Sequence, residues 1–257
     1  MKPFRVLQFN MQFGQGWDAS APDDAPVDLD ATLAEIRRHD ADIILLQEVE
    51  QAGPAGVQVH PPINYTRLRR ELNGFHSTFG YPRPDPRELP FGIGLAIFSK
   101  TPLSDEFRED LPSPPIEFEF KGETRTPTDR LLIGARTTIG GRGLAVVNTH
   151  LLAFFMLNSS SEFHRTQRDR VLARIASLEG AVVLGGDFNV SRHESLVDQF
   201  ASAGFKTVQQ TEVTWRRRPY VLDHIFHSTH LRCVAQRVEP TPASDHHVVV
   251  ADFVFAT

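Results

Sequence analysis

The sequence has almost no cysteine and no long apolar run. Cys233 is the single cysteine among 257 residues, so the chain cannot form an intramolecular disulfide and is not a small disulfide-held secreted domain. Apolar runs such as residues 43–46 and 248–251 are far shorter than the roughly 18 residues that a membrane-spanning helix needs. The N-terminus also lacks an apolar stretch of signal-peptide length. We therefore expect a cytoplasmic protein without a transmembrane segment.

Neither sign of charge dominates the chain. With 27 Lys+Arg and 32 Asp+Glu, the net charge is −5 at pH 7, which argues against a generic nucleic-acid coat protein but leaves room for a local basic patch. Hydrophobic residues at 40% and charged residues at 23% are typical of globular proteins and argue against a disordered chain. The sequence contains no 20–50-residue repeat and no linker. We expect one domain over residues 1–257, and a monomer that needs no obligatory protein partner.

Hydrophobic periodicity predicts an α/β chain whose strands pair mostly antiparallel. Helices are expected at residues 28–38, 65–73 and 160–178, and from about 191 as far as 204. Capping boxes are expected at Ser159 with Glu162 and at Ser191 with Glu194. Strands are expected at residues 4–10, 43–46, 94–99, 131–138, 144–149, 181–184, 221–227, 232–238 and 247–255. The Pro-rich segments 82–90 and 111–127 are expected to be surface loops that contact substrate.

Polar residues interrupt the apolar strands at or near their ends. The interruptions are Asn10, Gln47-Glu48, Asn148-Thr149-His150, Asp187-Phe188-Asn189 and Asp245-His246. Asp223 lies inside an apolar segment, where a buried acid needs a partner. Any one interruption is equally typical of a turn. Because ligands commonly bind where strand ends present side chains, several interruptions together favour a shared site.

Part of this set suits a divalent cation. Mg²⁺ prefers oxygen ligands and often uses only one or two carboxylates together with water. Glu48 and Asp245, with the amide oxygen of Asn10, have the right chemistry for that shell.

The remaining residues suit hydrolysis of a phosphate ester. His150, Asn189 and His246 can donate hydrogen bonds to an anionic phosphate. Asp187 or a histidine can deprotonate or orient the attacking water. An aspartate behind a histidine favours the charged imidazole, and Asp223 with His246 is the candidate pair.

These motifs resemble, in order and along almost the whole chain, those of the endonuclease/exonuclease/phosphatase superfamily, which includes the DNase-I-like nucleases. The motifs are Gln8-Phe9-Asn10, Leu46-Gln47-Glu48, Asn148-Thr149-His150, Gly185-Gly186-Asp187-Phe188-Asn189, Leu222-Asp223-His224-Ile225-Phe226 and Ser244-Asp245-His246. The resemblance implies a four-layer α/β-sandwich, in which two central mixed, largely antiparallel sheets are flanked by helices.

The resemblance also implies a metal shell. Glu48 would be the principal metal-binding carboxylate, and Asn10 would organise the shell. Asp245 would lie beside the metal, as a direct ligand or through water. The expected cofactor is Mg²⁺, with Mn²⁺ as a substitute.

The same resemblance implies roles at the phosphate. Asp187 would activate or align the attacking water, Asn189 would hold the phosphate, and His150 would lie near the scissile bond. Asp223 would orient His246, which would stabilise charge in the transition state. Water would attack phosphorus in line, without a covalent enzyme intermediate.

Some positions depart from the family or leave alternatives open. Gln12 stands where abasic-site endonucleases carry an aspartate, which counts against that subgroup and against a second metal. Asp129 is the one candidate partner for His150.

Arg216, in a run of three arginines, would bind a phosphate or lie in a solvated turn. Residues 154–157, which begin with Phe154-Phe155, would touch a base, a lipid or a partner, or pack under their loop.

The substrate is the least determined part of the interpretation. We expect a phosphate ester, first of all DNA or RNA, because the histidine motif resembles the DNase-I-like branch. A sphingomyelinase-like enzyme, or another lipid or small-molecule phosphoesterase, is the alternative. A catalytically inactive binding module with the same fold is a remote alternative, since every main polar position holds a residue competent for catalysis.

Overall fold

Two six-stranded sheets form the centre of the fold. The computed structural model describes residues 2–256. The first sheet contains β1 (Phe4–Asn10), β2 (Ile43–Gln51), β3 (His76–Gly80), β4 (Gly92–Ser99), β13 (Leu231–Glu239) and β14 (Val248–Phe255). The second contains β5 (Ser104–Leu111), β8 (Arg130–Ile139), β9 (Arg142–His150), β10 (Ala181–Asp187), β11 (Lys206–Thr207) and β12 (Asp223–His227). A separate hairpin consists of β6 (Phe118–Phe120) and β7 (Glu123–Arg125).

The two sheets have the same pattern of parallel and antiparallel strand pairs. It is β13-β14-β1-β2-β4-β3 in the first and β11-β12-β10-β9-β8-β5 in the second. The neighbours β1 and β2 are parallel, as are β9 and β10, and the other pairs are antiparallel. The expectation of mixed, largely antiparallel sheets is confirmed.

Helices cover the outer face of each sheet. Helices α1 (Leu29–Arg38) and α2 (Ile63–Glu71) pack their apolar residues on the first sheet. Helices α3 (Thr166–Ala176) and α4 (His193–Ser202) do the same on the second. Because each sheet therefore buries both faces, the predicted four-layer sandwich is confirmed. Among residues 2–256, none of the helices is long and apolar enough to cross a membrane.

The apolar core between the sheets follows the two-residue period of the strands. In β1, Val6 faces the opposite sheet whereas Leu7 and Phe9 face the helices. In β10, Val183 likewise faces the opposite sheet, and Leu184 faces the helices. Because alternate residues of a strand share a face, the face between the sheets continues beyond this core to the polar residues at the strand ends.

Gly185 allows the two sheets to approach each other near that polar end. A Cβ atom at this position would lie 2.5 Å from Leu45 Cδ1 of the opposite sheet. The Leu45 side chain would have to shift to accommodate it, so a residue without a side chain suits the packing here.

Both predicted capping boxes are wrong. Helix α3 begins at Thr166, and Glu162 instead accepts a hydrogen bond from Ser195 Oγ. Helix α4 begins at His193 with Arg192 as its N-cap, so Ser191 lies outside it. The physical reason is tertiary: the buried Arg168 donates to Ser195 O and joins α3 to the start of α4.

Other predictions also differ from the structure, and the sequence pattern does not predict β3 or β5. The helix expected at residues 65–73 is α2, which begins at Ile63. The segment 111–127 contains the hairpin of β6 and β7, so it is not wholly a loop. Asp223 begins β12, so the acid lies at a strand end like the other polar residues.

Glu35 is the centre of a hydrogen-bond cluster at the end of α1. Its carboxylate accepts hydrogen bonds from Arg38 Nε and interacts with His39 Nε2, each at 2.9 Å. Burial acts to raise the pKa of Glu35, but the bonds from His39, Arg38 and Thr241 outweigh it and lower the pKa from 4.5 to about 2. The group therefore stabilises the fold above its unfolded pKa, and this contribution is lost as pH falls from 4.5 through about 2.

We predict that Glu35→Gln lowers the free energy of unfolding at pH 7 by about 1–3 kcal/mol, because the charged acceptor is lost. The gap between the variant and the wild type should close as pH falls from 4.5 to about 2 in urea titrations. Glu71→Gln is the matched control, since its ion pairs with Arg37 and Arg70 are solvent-exposed. A gap that stays constant over this pH range would contradict the assignment.

Candidate active site

Polar residues replace apolar ones on the facing surfaces of both sheets, at one end of the sandwich. Gln8 and Asn10 follow Val6 on the same face of β1, and His150 follows Val146 by four residues on β9. Strand pairing aligns Asn10 with Gln47, and Asp187 with both His150 and Asp223. The strand ends of two sheets therefore meet at a single place.

Asn10 holds two carboxylates together at this place. Its Nδ2 donates to Glu48 Oε1 and to Asp187 Oδ2, both at 3.0 Å. Its Oδ1 accepts the backbone N–H of Gln12. The amide nitrogen, and not the oxygen, therefore faces the carboxylates, so the predicted amide-oxygen ligand is not presented in this arrangement.

The local backbone at Glu48 is strained. Glu48 has a φ of +50° and lies in an irregularity of the β2–β4 pairing between Gln47 and Glu50. Left-handed backbone at a non-glycine residue is unfavourable and is found at functional sites. Gly92 makes room for the Glu48 side chain, because a Cβ there would lie 2.1 Å from Glu48 Oε2.

The pair of carboxylates has the chemistry of a cation site. Burial raises the pKa of Glu48 to about 7 and raises the pKa of Asp187 well above its usual value. His150 Nε2 lies 3.5 Å from Asp187 Oδ2 and 3.9 Å from Glu48 Oε1, and these three residues can each offer one ligand atom. Carboxylate oxygens suit Mg²⁺ or Mn²⁺, so the donor set fits a divalent cation.

A buried aspartate orients His246 next to this pair. His246 Nδ1 lies 2.8 Å from Asp223 Oδ2, and its Nε2 lies 3.7 Å from Asp187 Oδ2. Burial acts to lower the pKa of His246, but the charges of Asp223 and Asp187 raise it well above its usual value. The two carboxylates therefore favour the charged imidazole.

Buried amides connect Asp223 to the opposite sheet. Gln8 Nε2 donates to Asp223 Oδ1 at 2.9 Å and to Gln47 Oε1 at 2.7 Å. Gln47 Nε2 donates to Asn148 Oδ1 at 2.7 Å. Sequence reasoning gave Gln8 no role, although its position two residues before Asn10 in a strand was the available signal.

His150 is paired with Asn189, not with Asp129. Asn189 Nδ2 lies 3.0 Å from His150 Nε2, and also donates to Leu151 O. Asp129 instead accepts the backbone N–H of Ser113, so that predicted partner is wrong. Burial lowers the pKa of His150 well below its usual value, helped by the charge of Arg130. Burial therefore favours the neutral ring, in which Nε2 can accept from Asn189 Nδ2.

Asp245 lies beside the carboxylate pair and is held by other groups. Its Oδ2 accepts from Arg217 Nε at 2.7 Å and from Trp215 Nε1 at 3.1 Å. Its Oδ1 lies 3.9 Å from His246 Nε2. The structure therefore places Asp245 next to His246, with one oxygen already occupied by two donors.

The arginine that contacts this site is Arg217 and not the predicted Arg216. Arg216 directs a guanidinium nitrogen to Thr241 O, whereas Arg217 Nε donates to the Asp245 carboxylate. Arg217 also binds Asp23 at 2.6 Å, which fastens the loop before α1 to the site. The sequence, a run of three arginines, gives no signal that distinguishes Arg217 from Arg216 as the residue that contacts the site.

The segment Phe154–Leu157 forms a 3-10 turn directly after β9. Phe154 is buried against His164, which confirms packing for that residue. Phe155 packs against Trp215 and Tyr220, and Trp215 lies 6.2 Å from His246 between ring centroids. An aromatic wall therefore borders the candidate site.

We predict that Gln8→Leu lowers the free energy of unfolding by about 1–3 kcal/mol, since Asp223 Oδ1 and Gln47 Oε1 lose a buried donor. Urea unfolding measures the change, and the downfield proton resonance of His246 Nδ1–H should broaden or shift. Gln236→Leu is the control, because Gln236 is an exposed residue of β13. Equal stability of the two variants, with an unchanged resonance, would remove Gln8 from this network.

Comparison with known proteins identifies the family. The model of the Endonuclease/Exonuclease/phosphatase family matches residues 7–246. A UPF0294 protein of Yersinia pseudotuberculosis is 33% identical over 138 residues, which cover 50% of this chain and 51% of that protein. The chain thus matches about half the length of this curated relative.

Solved structures share the fold at low sequence identity. An endonuclease/exonuclease/phosphatase from Beutenbergia cavernae has a TM-score of 0.73 and 22% identity, over 100% of this chain and 72% of that one. The human nocturnin catalytic domain with bound sulfate has a TM-score of 0.67 and 21% identity, over 99% and 94% of the two chains. Since the family model spans nearly all of the described residues, the chain belongs to the Endonuclease/Exonuclease/phosphatase family and has the hydrolase fold of that family.

Proposed function

We propose that the chain is a divalent-metal-dependent phosphodiesterase that acts on nucleic acid, with Mg²⁺ as cofactor and Mn²⁺ as a substitute. In the proposed reaction, water attacks phosphorus in line and displaces the leaving oxygen without a covalent enzyme intermediate. One observation carries the proposal: the partly buried carboxylate of Glu48 and the buried carboxylate of Asp187 meet the Asp223–His246 pair at the mouth between two sheets.

Glu48 and Asp187 would hold the cation, and Asn10 would set their spacing. When bound, Mg²⁺ offsets negative charge on phosphoryl oxygens and lowers the pKa of coordinated water. Asp245 would act from beside the pair, through water, because one of its oxygens is engaged by Arg217 and Trp215.

The remaining residues would act on the water and the phosphate. His246 would donate from Nε2 to the phosphoryl oxygen on which charge develops, while Asp223 fixes its orientation at Nδ1. Asp187, 3.7 Å from that Nε2, would align the attacking water. Asn189 would exchange its bond to His150 for a bond to the phosphate.

A lipid phosphoesterase is the second candidate, and one observation favours it. Met156 is 59% exposed and Phe163 is 81% exposed, in the segment that follows His150 in the chain. Apolar side chains presented to solvent near a site suit a lipid surface. Hydrolysis of DNA should weaken steeply with ionic strength, whereas hydrolysis of sphingomyelin in micelles should depend mainly on surface presentation.

An inactive binding module is the remaining alternative. The site argues against it, because each position proposed for catalysis holds a residue with a suitable donor or acceptor. A cytoplasmic location, a monomeric state and a single domain over residues 1–257 stay predictions.

We predict that the protein hydrolyses bis-p-nitrophenyl phosphate with Mg²⁺ or Mn²⁺, and not in EDTA. Asp187→Ala and His246→Ala should each lower kcat by a factor of about 10² or more, because the water and the developing charge lose their partners. His230→Ala, at an exposed position, is the control. Turnover in EDTA, or variants as active as the wild type, would contradict the proposal.

We predict that Glu48→Gln raises the Mg²⁺ concentration needed for half-maximal rate, because a carboxylate ligand becomes a neutral amide. Gly92→Ala should shift the titration in the same direction, since the new Cβ displaces the Glu48 carboxylate. Gly143→Ala should leave it unchanged, because a Cβ there meets open space among the described residues. An unchanged metal titration in Glu48→Gln would remove Glu48 from the metal shell.

A further inference from the structure

The guanidinium of Arg217 and the carboxylate of Asp245 form a charge pair at the edge of the active site. A turn that contains Arg217 is closed by the pairing of Trp215 with Tyr220. Trp215 also pairs with His246, which follows Asp245 in the chain. This turn brings two donors to one oxygen of Asp245, because Arg217 Nε and Trp215 Nε1 both donate to Oδ2. That oxygen is therefore engaged by the protein's own donors.

A ring of hydrogen bonds keeps Arg217 in this position. Gln12 Oε1 accepts the backbone N–H of Asp245, and Gln12 Nε2 donates to Gln15 Oε1. Gln15 Nε2 donates to Asp23 O, and Asp23 Oδ1 accepts from Arg217 Nη1 at 2.6 Å. The ring closes where Arg217 Nε donates to Asp245 Oδ2 at 2.7 Å. Because its donors are engaged on both sides, the guanidinium is preorganised next to Asp245.

The positive charge of Arg217 acts mainly on Asp245. The Asp245 side chain is 8% exposed, whereas that of Asp23 is 82% exposed. An ion pair with an exposed partner is screened by water and contributes little, but a pair with a buried carboxylate is screened much less. Loss of the guanidinium would therefore leave an uncompensated carboxylate at a buried position.

Asp245 lies within electrostatic reach of the carboxylates that would hold the cation. Its Oδ1 is 3.9 Å from His246 Nε2, and the same nitrogen is 3.7 Å from Asp187 Oδ2. The charge of Asp245 also contributes, after desolvation, to the raised pKa of Glu48. Without Arg217, the Asp245 carboxylate would be a third oxygen donor beside Glu48 and Asp187.

The charges at the site match one divalent cation. The carboxylates that meet there are Glu48, Asp187, Asp223 and Asp245. The positive groups that contact them are Arg217 and His246, the latter in the charged form that its carboxylates favour. Two negative charges are left over. A single Mg²⁺ or Mn²⁺ balances them, whereas a second ion would leave an excess of positive charge among largely buried groups.

Other charged groups near the site do not change this balance. Arg130 precedes Leu131, the residue that pairs with His150, and its Nη1 lies 3.7 Å from Glu88 Oε1. Burial favours the neutral form of His150 by lowering its pKa. The first group is therefore offset by an acid, and the second carries no charge.

We propose that Arg217 is a resident cation, which neutralises Asp245 and limits the active site to one divalent ion. The inference rests on the proposed function, because it assigns the cation content of the same site. Arg217 is a positioning residue in this role, since it acts through Asp245. Loss of its charge should release Asp245 as a ligand for a second ion, because Mg²⁺ often uses only one or two carboxylates together with water.

The test counts the Mn²⁺ ions bound by the wild type, Arg217→Gln and Arg217→Lys. Room-temperature EPR measures free Mn²⁺ during a titration, because ions bound to protein lose the sharp signal of hydrated Mn²⁺. Asp23→Asn is the matched control, since it removes the exposed partner of Arg217 and keeps the pair with Asp245. The double variant Arg217→Gln/Asp245→Asn shows whether Asp245 holds an added ion. Hydrolysis of bis-p-nitrophenyl phosphate is measured in parallel.

We expect one Mn²⁺ per chain in the wild type, in Arg217→Lys and in Asp23→Asn, because each keeps a positive charge beside Asp245. Arg217→Gln should bind two ions per chain, because Asp245 is then free to act as a ligand. The double variant should return to one ion.

Two Mn²⁺ per chain in the wild type, or a single ion in folded Arg217→Gln, would overturn the inference and leave the proposed function intact. Two ions in Asp23→Asn would assign the effect to the loop before α1, and would overturn it as well. The expected counts in a protein that hydrolyses no diester would support the inference and contradict the proposed function. A wild type that binds no Mn²⁺ would contradict both.

Discussion

Polar side chains can be buried between two sheets only if they satisfy one another's hydrogen bonds, and this constraint shapes the active-site end of the fold. Gln8, Gln47 and Asn148 form a series of amide contacts across the gap between the sheets. The series ends at Asp223, whose second oxygen holds His246. The same hydrogen bonds that join the sheets therefore orient the imidazole of His246. A change in these bonds alters both the stability of the fold and the geometry of the site.

The second feature of the site is its pair of carboxylates. Glu48 and Asp187 are drawn together by one amide from Asn10, although burial and mutual repulsion disfavour their charged forms. Glu48 and Asn189 also have φ values near +50°. Strained backbone and closely spaced carboxylates at the same place are costs that the rest of the sandwich must offset. A cation between the carboxylates would relieve the electrostatic part.

Much of this site was predictable from the sequence because strands have a period of two. Asp187 and His246 stood out as polar residues at the ends of apolar strands, and the structure brings both to one end. Gln8 was not predictable in the same way, since a glutamine inside a strand does not reveal whether it faces a partner or solvent. The choice between Arg216 and Arg217 depended on side-chain direction, which adjacent identical residues cannot encode.

The helix boundaries show that local sequence patterns are also limited in predicting the fold. Ser159 and Glu162 have capping-box spacing, yet tertiary contacts of Arg168 and Ser195 decide where α3 begins. Local patterns thus predicted most of the elements but not the edge strands β3 and β5. The family resemblance implied the layers, and contacts between distant segments set the ends of the helices. The central claim, that the carboxylates of Glu48 and Asp187 form a cation site, is tested most directly by anomalous diffraction from crystals soaked in Mn²⁺. The account predicts a peak within coordination distance of Glu48 and Asp187. Crystals with ordered Mn²⁺ elsewhere and no peak between these two side chains would contradict it.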